Sequence, residues 1–428
     1  MNEQRDTTFS ILKALAILLV VTAHAAAPTY LSRFAYMVSV PAFFVCAGYF
    51  FNPQYLQQKG TFVVRRARRL YLPFVKWSLL FLVLHNLFFP LGLLSETYGN
   101  AAGGVTHPYD WTTAMQNLWS IVFNMSGYDV FLAGAFWFFR ALFLSSIAFL
   151  LLFKGATCIK WLKNPTLQVA AVGTLTLLLA IWQSFDGLRI TGVAQGGYRE
   201  LMGITFMSIG FLFRHNTDSP VSVAWRHPAL GLAWSSLVLA LLVAFFPVAM
   251  TPSTGNPLAV VLLALAGPAA FVWLHAVAHY LSLLPRKVPE VIAYIGDNSI
   301  YIFGFHLLAF KLVSMIKVLA YGLPWEMVGN HPVVTFQRDD AFWIAYLFVG
   351  AGFPLLVVWS WRYFCTQFDF NWTRPADWGR LFLTISVGIW TGMKWLGRTS
   401  VRTSKKTAHG IAVTFKDIVT QSRTDDDN

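Results

Sequence analysis

The sequence predicts an all-α integral membrane protein, a polytopic helical bundle of about ten transmembrane helices. Three observations carry that prediction. Apolar residues make up 56% of the chain and charged ones only 12%, with a mean hydropathy of +0.56, unlike a soluble domain of this length. About ten stretches approach the ~20 apolar residues that cross a bilayer. Lys and Arg gather in alternate loops, as the positive-inside rule requires.

The spans expected in order are Phe9–Ala27, Tyr36–Phe51, Tyr71–Leu94, Phe131–Phe153, Pro165–Phe185, Tyr198–Phe213, Pro228–Phe246, Leu258–Leu281, Tyr294–Leu319 and Ala341–Phe364. The first carries Lys13 inside it and His24 near its far end, lacks a small-x-small exit, and has further spans behind it. It therefore reads as a retained helix and not a cleaved signal peptide. The long connection Ser95–Val130 contains no Lys or Arg and is rich in Gly, Asn, Thr, Tyr and Trp. Two readings stand for it: a sugar-binding loop, or a loop resting on headgroups with interfacial Trp and Tyr. Residues 1–365 form the expected membrane domain and 366–428 a cytoplasmic C-terminal extension. Within the extension Leu381–Leu396 carries Lys394 and two glycines, so an interfacial helix competes with an eleventh span. The tail beyond Arg398 is basic, ends in Asp425–Asp427, and is expected to be disordered.

Placing the N-terminus in the cytoplasm puts Arg5, Lys59, Arg65, Arg66, Arg68, Arg69, Lys154, Lys160, Lys163, Arg214, Arg226, Arg286 and Lys287 inside. Only Arg33, Arg189, Arg199 and Arg338 then lie outside. The opposite orientation would invert this bias. The net charge of +13 thus reports topology and not nucleic-acid binding. Cys46, Cys158 and Cys365 are scattered, without disulfide or metal spacing.

Ionisable groups inside spans are expensive and mark function by default. Lys13 and His24 are eleven residues apart, which at ~100° per residue returns within ~20° of the same face, ~16 Å along the axis. Lys13 could equally snorkel to headgroups, and His24 could simply hydrogen-bond a neighbouring helix. After the second span comes Arg65-Arg66-Ala67-Arg68-Arg69. Its i, i+3 pairs, Arg66 with Arg69 and Arg65 with Arg68, can converge on one anion or anchor anionic headgroups. Trp137 and Arg140 stand near the outer end of the fourth span, while Asn298 and Ser299 open the ninth and His306 follows on it. His275 and His279 have the i, i+4 spacing of a metal pair, but Ala276 stands where a zincin has Glu; no metal is expected.

Together these segments resemble the membrane-bound acyltransferase-three family, the bacterial O-acyltransferases of surface glycans. The resemblance runs from Phe9 to about Phe364. It rests on the Lys13–x10–His24 pattern, the second helix with its Pro41-Ala42-Phe43-Phe44 run and its Gly48-Tyr49 end, and the R-x-x-R-L-x-x-P run ending at Pro73. The Trp137–Phe138 pair and the Gly296-Asp297-Asn298-Ser299…His306 run complete it. Ser10 stands where the family usually has an acidic residue, Lys13 where Arg is commoner, and Ser39 where His is frequent. The resemblance implies transfer of an acyl group, usually acetyl, from acetyl-CoA or another short acyl-CoA to a sugar hydroxyl. It implies His24 as base, Lys13, aligned with it ~16 Å along the same helix face, as a catalytic partner that could steer the coenzyme, and the arginines as phosphate ligands. Implied partners are acyl-CoA, a glycan or lipid-linked saccharide and membrane lipids, without nucleic acid, and the implied location is the bacterial inner membrane. The alternative is a polytopic transporter or flippase.

Overall fold

In a bilayer every backbone N–H and C=O of a spanning segment must be satisfied internally, and a helix does this within one segment. The computed structural model describes residues 7–100, 104–186, 189–216, 227–252 and 255–367. Its helices are α1 (Thr7–His24), α2 (Thr29–Tyr49), α3 (Lys59–Phe88), α4 (Trp111–Asn124), α5 (Val130–Ala156) and α6 (Pro165–Phe185), then α7 (Tyr198–His215), α8 (Pro228–Phe245), α9 (Pro257–Ser282), α10 (Lys287–Asp297), α11 (Ser299–Ala320) and α12 (Phe342–Gln367). Among the described residues nine are long and apolar enough to cross a membrane, all but α4, α7 and α10.

α7 is the expected sixth span. It forms a helix, but Arg199, Glu200 and Arg214 dilute its apolar character. It is buried along most of its length, packed by α2, α5 and α6, so protein and not lipid surrounds it. The close approach of α2 to α7 needs small residues, as in membrane helix pairs generally. A Cβ at Gly48 would strike the Met207 backbone, and one at Gly210 the Val45 carbonyl.

Two expected spans are corrected. The third starts earlier than Tyr71, at Lys59, so the arginine cluster lies on the helix and not ahead of it. Residues Ala67–Tyr71 form a π-helical turn within α3. The ninth does not run unbroken from Tyr294, because the chain breaks at Asn298 between α10 and α11. The Ser95–Val130 connection also contains a helix, α4, whose N-terminus is capped by Asp110 Oδ1 accepting from the Thr113 amide at 2.7 Å.

α1 sits at the centre, packed by α2, α9, α10 and α11, with eleven of its residues from Phe9 to Ala23 buried. Two lysines on α11 fasten the segment that follows that helix. Buried Lys311 donates to the carbonyls of Val328 and Asn330 at 2.9 and 2.8 Å, and Lys317 pairs with Asp340 at 2.8 Å. Contacts divide the chain into Met1–Val358 and Trp359–Asn428. The second unit is described only to Gln367, where Trp359 and Tyr363 stack. Arg5, Arg226, the Leu381–Leu396 run, the basic tail and Asp425–Asp427 lie outside the described residues.

Candidate active site

α1 has no proline and no break, so its eleven-residue spacing carries through. Lys13 and His24 line one cavity of about 270 Å³, walled mostly by apolar and aromatic side chains including Phe43, Trp137, Phe138 and Phe303, with Ser39 and Ser299 the small polar exceptions. His24 Nδ1 lies 2.9 Å from the Val20 carbonyl. A carbonyl only accepts, so Nδ1 carries the hydrogen and Nε2 is the basic nitrogen of the neutral ring. Its ring lies 5.3 Å from that of His306 and 5.8 Å from Tyr36. His306, fully buried, repeats the arrangement: Nδ1 reaches the Ile302 and Phe303 carbonyls at 3.0 Å, and Nε2 is buried without a partner. The structure thus sets two imidazoles side by side, each fixed through Nδ1.

At its other end Lys13 sits beside a carboxylate from a different helix. Asp297 Oδ1 accepts from Ser10 Oγ at 2.8 Å and from Lys13 Nζ at 3.4 Å. Gly296 makes this possible, since a Cβ there would collide with the Ser10 carbonyl. Asn298, buried at the break before α11, donates from Nδ2 to the Tyr294 carbonyl at 2.9 Å and serves the chain path, while Ser299 lines the His24 cavity.

Lys13 and Phe43 also line a second cavity of about 1080 Å³, whose walls carry Arg65, Arg66, Arg69 and Arg214. Arg65 Nη1 donates to Tyr55 Oη at 2.7 Å, and Arg66 lies over Phe62 at 5.1 Å. Arg68 is exposed and outside this wall. At ~100° per residue Arg65, Arg66 and Arg69 fall within one ~100° arc and Arg68 lies ~60° outside it, so Arg68 leaves the shared face.

Trp137 belongs to the walls of both the His24 cavity and a third one, of about 670 Å³. Arg140, Tyr128, Arg199 and Glu200 line the third cavity with part of the Ser95–Val130 connection. That connection is pinned by His85 of α3, fully buried and paired through Nδ1 with Asp129. His85 Nε2 lies 2.9 Å from the His107 carbonyl, and its ring stacks on Tyr109 at 3.5 Å. Burial raises the pKa of the Tyr128 hydroxyl, against the opposing pull of Arg199 and Arg140, so it remains a donor. His331, beyond α11, packs on Phe131 at 5.5 Å. Burial, and then the nearby Lys311 and His24, push its pKa down to about 3.

Sequence reasoning singled out neither Asp297 nor His331, and placed Arg199, Arg214 and Tyr55 in no site. Asp297, His331 and Arg199 are placed by contacts with residues distant in sequence, Ser10, Phe131 and Met250, which no local pattern reports. His275 and His279 lie elsewhere, with His275 packed on Phe9 at 5.6 Å.

Comparison with known proteins fits this arrangement of helices. The acyltransferase-three model, described as an acyltransferase domain, matches residues 7–336. The chain belongs to the acyltransferase-three family. Among curated proteins it is similar to the peptidoglycan O-acetyltransferase OatA of Listeria monocytogenes, 27% identical over 248 residues, covering 53% of this chain and 37% of that protein. The chain thus matches little more than a third of the length of that relative. No solved structure matches it. Residues 7–336 are thus an acyltransferase-three domain in a chain whose described residues hold nine helices long and apolar enough to cross a membrane.

Proposed function

We propose that the protein transfers an acyl group, acetyl in the simplest case, from acyl-coenzyme A to a hydroxyl of an exported or cell-surface glycan in the bacterial cytoplasmic membrane. The observation that carries this reading is the run of three cavities with common wall residues. Lys13 and Phe43 join the arginine-lined cavity to that of His24, and Trp137 joins the His24 cavity to the third. The positive-inside bias supports placing the arginine-lined cavity and both termini on the cytoplasmic side, where acyl-coenzyme A is found. Arg65, Arg66, Arg69 and Arg214 suit its phosphates. The pantetheine arm then follows the ~16 Å of α1 from Lys13 to His24 through an apolar passage that excludes water. The name of the Listeria relative, a peptidoglycan O-acetyltransferase, supports a glycan as acceptor, entering from the cavity beyond Trp137.

The chemistry needs one base. The acceptor hydroxyl gives its proton to His24 Nε2 as its oxygen attacks the thioester carbonyl carbon. The tetrahedral intermediate collapses with cleavage of the C–S bond, and the imidazolium returns the proton to the leaving sulfur. An ester and free coenzyme thiol result. The Nδ1 anchor on Val20 keeps the basic nitrogen on the reacting side, and His306 Nε2 provides a second polar atom beside it.

The test uses purified protein in vesicles with radiolabelled acetyl-coenzyme A and a glycan extract. Label is expected in the glycan, and His24→Ala is expected to lower its rate by about 10²–10⁴-fold. A wild-type rate in that variant would remove His24 as the base. Coenzyme-independent passage of unlabelled glycan across the vesicle would make the protein a transporter or flippase.

A further inference from the structure

The third cavity contains more charge than a neutral sugar needs. Arg140 comes from α5, Arg199 and Glu200 from α7, and all three line it. Among the described residues neither guanidinium makes an ion pair. Arg199 is held in place by two contacts: Nε donates to the Met250 carbonyl at 3.1 Å, and Cζ lies 3.6 Å from the centre of the Trp137 ring. Both contacts leave the terminal N–H groups of its fork unused. Arg140 donates from Nη2 to the Gly192 carbonyl at 3.0 Å, while its Nε is buried without a partner. Glu200 is 9% exposed, and its Oε2 is likewise buried and unpartnered.

A buried donor or acceptor left unpaired costs about 1–3 kcal/mol, and more when charged. One wall of a single cavity holds one of each. The pattern suits a ligand that brings an anionic acceptor to the arginines and a hydroxyl donor to the glutamate. Planar guanidinium forks match carboxylates in two-point geometry. The topology argues the same way, because the positive-inside rule disfavours arginine on the outer side, yet two are gathered at this place. The volume of about 670 Å³ lies within the ~300–1,000 Å³ of pockets that enclose small molecules. Tyr109, Tyr128 and Trp137 on the same wall supply flat faces for a pyranose ring.

We infer that this cavity is a binding subsite for a saccharide carrying a carboxylate, with the carboxylate on Arg140 and Arg199 and a ring hydroxyl on Glu200. The inference rests on the acyl-transfer reading only in taking this saccharide as the acceptor; the binding itself does not depend on transfer.

Full-length protein in lipid nanodiscs is titrated by calorimetry with trigalacturonate and with its methyl ester, which has the same ring hydroxyls and no charge. The wild type is expected to bind the acid at least about tenfold more tightly, as one or two charge-assisted hydrogen bonds provide. Arg140→Gln and Arg199→Gln should each erase that preference. Arg140→Lys should keep part of it, and Glu200→Gln should weaken both probes while leaving the preference. Thermal midpoints within a few degrees of wild type show that each variant is folded; if Arg140→Gln does not fold, Arg199→Gln and Arg140→Lys decide. Equal affinity for acid and ester, no binding of either, or a preference that survives Arg140→Gln and Arg199→Gln overturns the site. Retained binding preference without any acetyl transfer would sink the transfer reading and leave the site. Transfer to glycan without a binding preference would do the reverse.

Discussion

The two cavities that flank His24 handle charge in opposite ways. At the Lys13 end Arg65, Arg66, Arg69 and Arg214 line a large vestibule, with no carboxylate in its described wall. Beyond Trp137, two arginines share a smaller chamber with a buried glutamate. The first arrangement fits a ligand with several phosphates, whose recognition is mostly long-range attraction and adapts to position. The second fits one charge at one place, because its partners are held by backbone carbonyls and an aromatic ring. Charge in quantity suits a polyanion; charge in balance suits a single substituent. α1 runs between them and lets each be tested apart from the other.

The sharpest break should come at the small chamber. His85 and Asp129 are both fully buried, and removing one partner of a buried pair costs about 3–5 kcal/mol. Asp129→Asn should therefore lower the thermal midpoint and raise KM for acceptor while leaving KM for acyl-coenzyme A unchanged. Equal effects on both substrates would show that the chambers are not independent. Next in size, Arg66→Ala with Arg69→Ala should raise KM for acyl-coenzyme A by tenfold or more, at about 1.5–3 kcal/mol per charged hydrogen bond. Added salt should shrink the difference, and KM for acceptor should stay put.

A third prediction concerns pH. His331 titrates near 3 in the folded protein, below its ordinary value of about 6.5. Between those values the unfolded chain holds a proton that the folded chain does not. Stability should thus fall as pH drops through that window. His331→Asn should flatten the slope of midpoint against pH there, and an unchanged slope would reject the assignment. The smallest effect should be at Lys13. Asp297→Asn removes its carboxylate and should weaken acyl-coenzyme A binding by a few-fold, in the ~0.5–1.5 kcal/mol range of one hydrogen bond. Adding Ser10→Asp, which restores an acid on α1 itself, should recover most of it.

The sequence made the bundle legible because a bilayer leaves so few options: long apolar runs become helices, and alternating cations order them. It misjudged the ninth span, since Asn298 and Ser299 look as much like a helix start within one span as a break between two helices. Lys13 and His24 share a cavity because α1 is regular from end to end. The arginines were read as two separate pairs, whereas Arg65, Arg66 and Arg69 share one arc of the helix and Arg68 lies outside it. Nothing near Ser10 signalled that its missing acid would come from Asp297, 287 positions along the chain. That contact depends on Gly296 letting two backbones meet, which is a property of the packed bundle and not of either segment.

The aromatic middle section has a consequence for the cell as well as for the acyl group. Water-filled chambers facing each other across a membrane would short-circuit the ion gradients on which the membrane depends. The cavity at His24 has a volume of only about 270 Å³, and Phe43, Trp137, Phe138 and Phe303 are among its walls. Hydrophobic constrictions of this kind shed their water, and a bare ion meets a barrier of several kcal/mol. In the proposed reaction the rings beside a slender acyl chain would therefore also serve as electrical insulation, keeping the membrane energised during transfer.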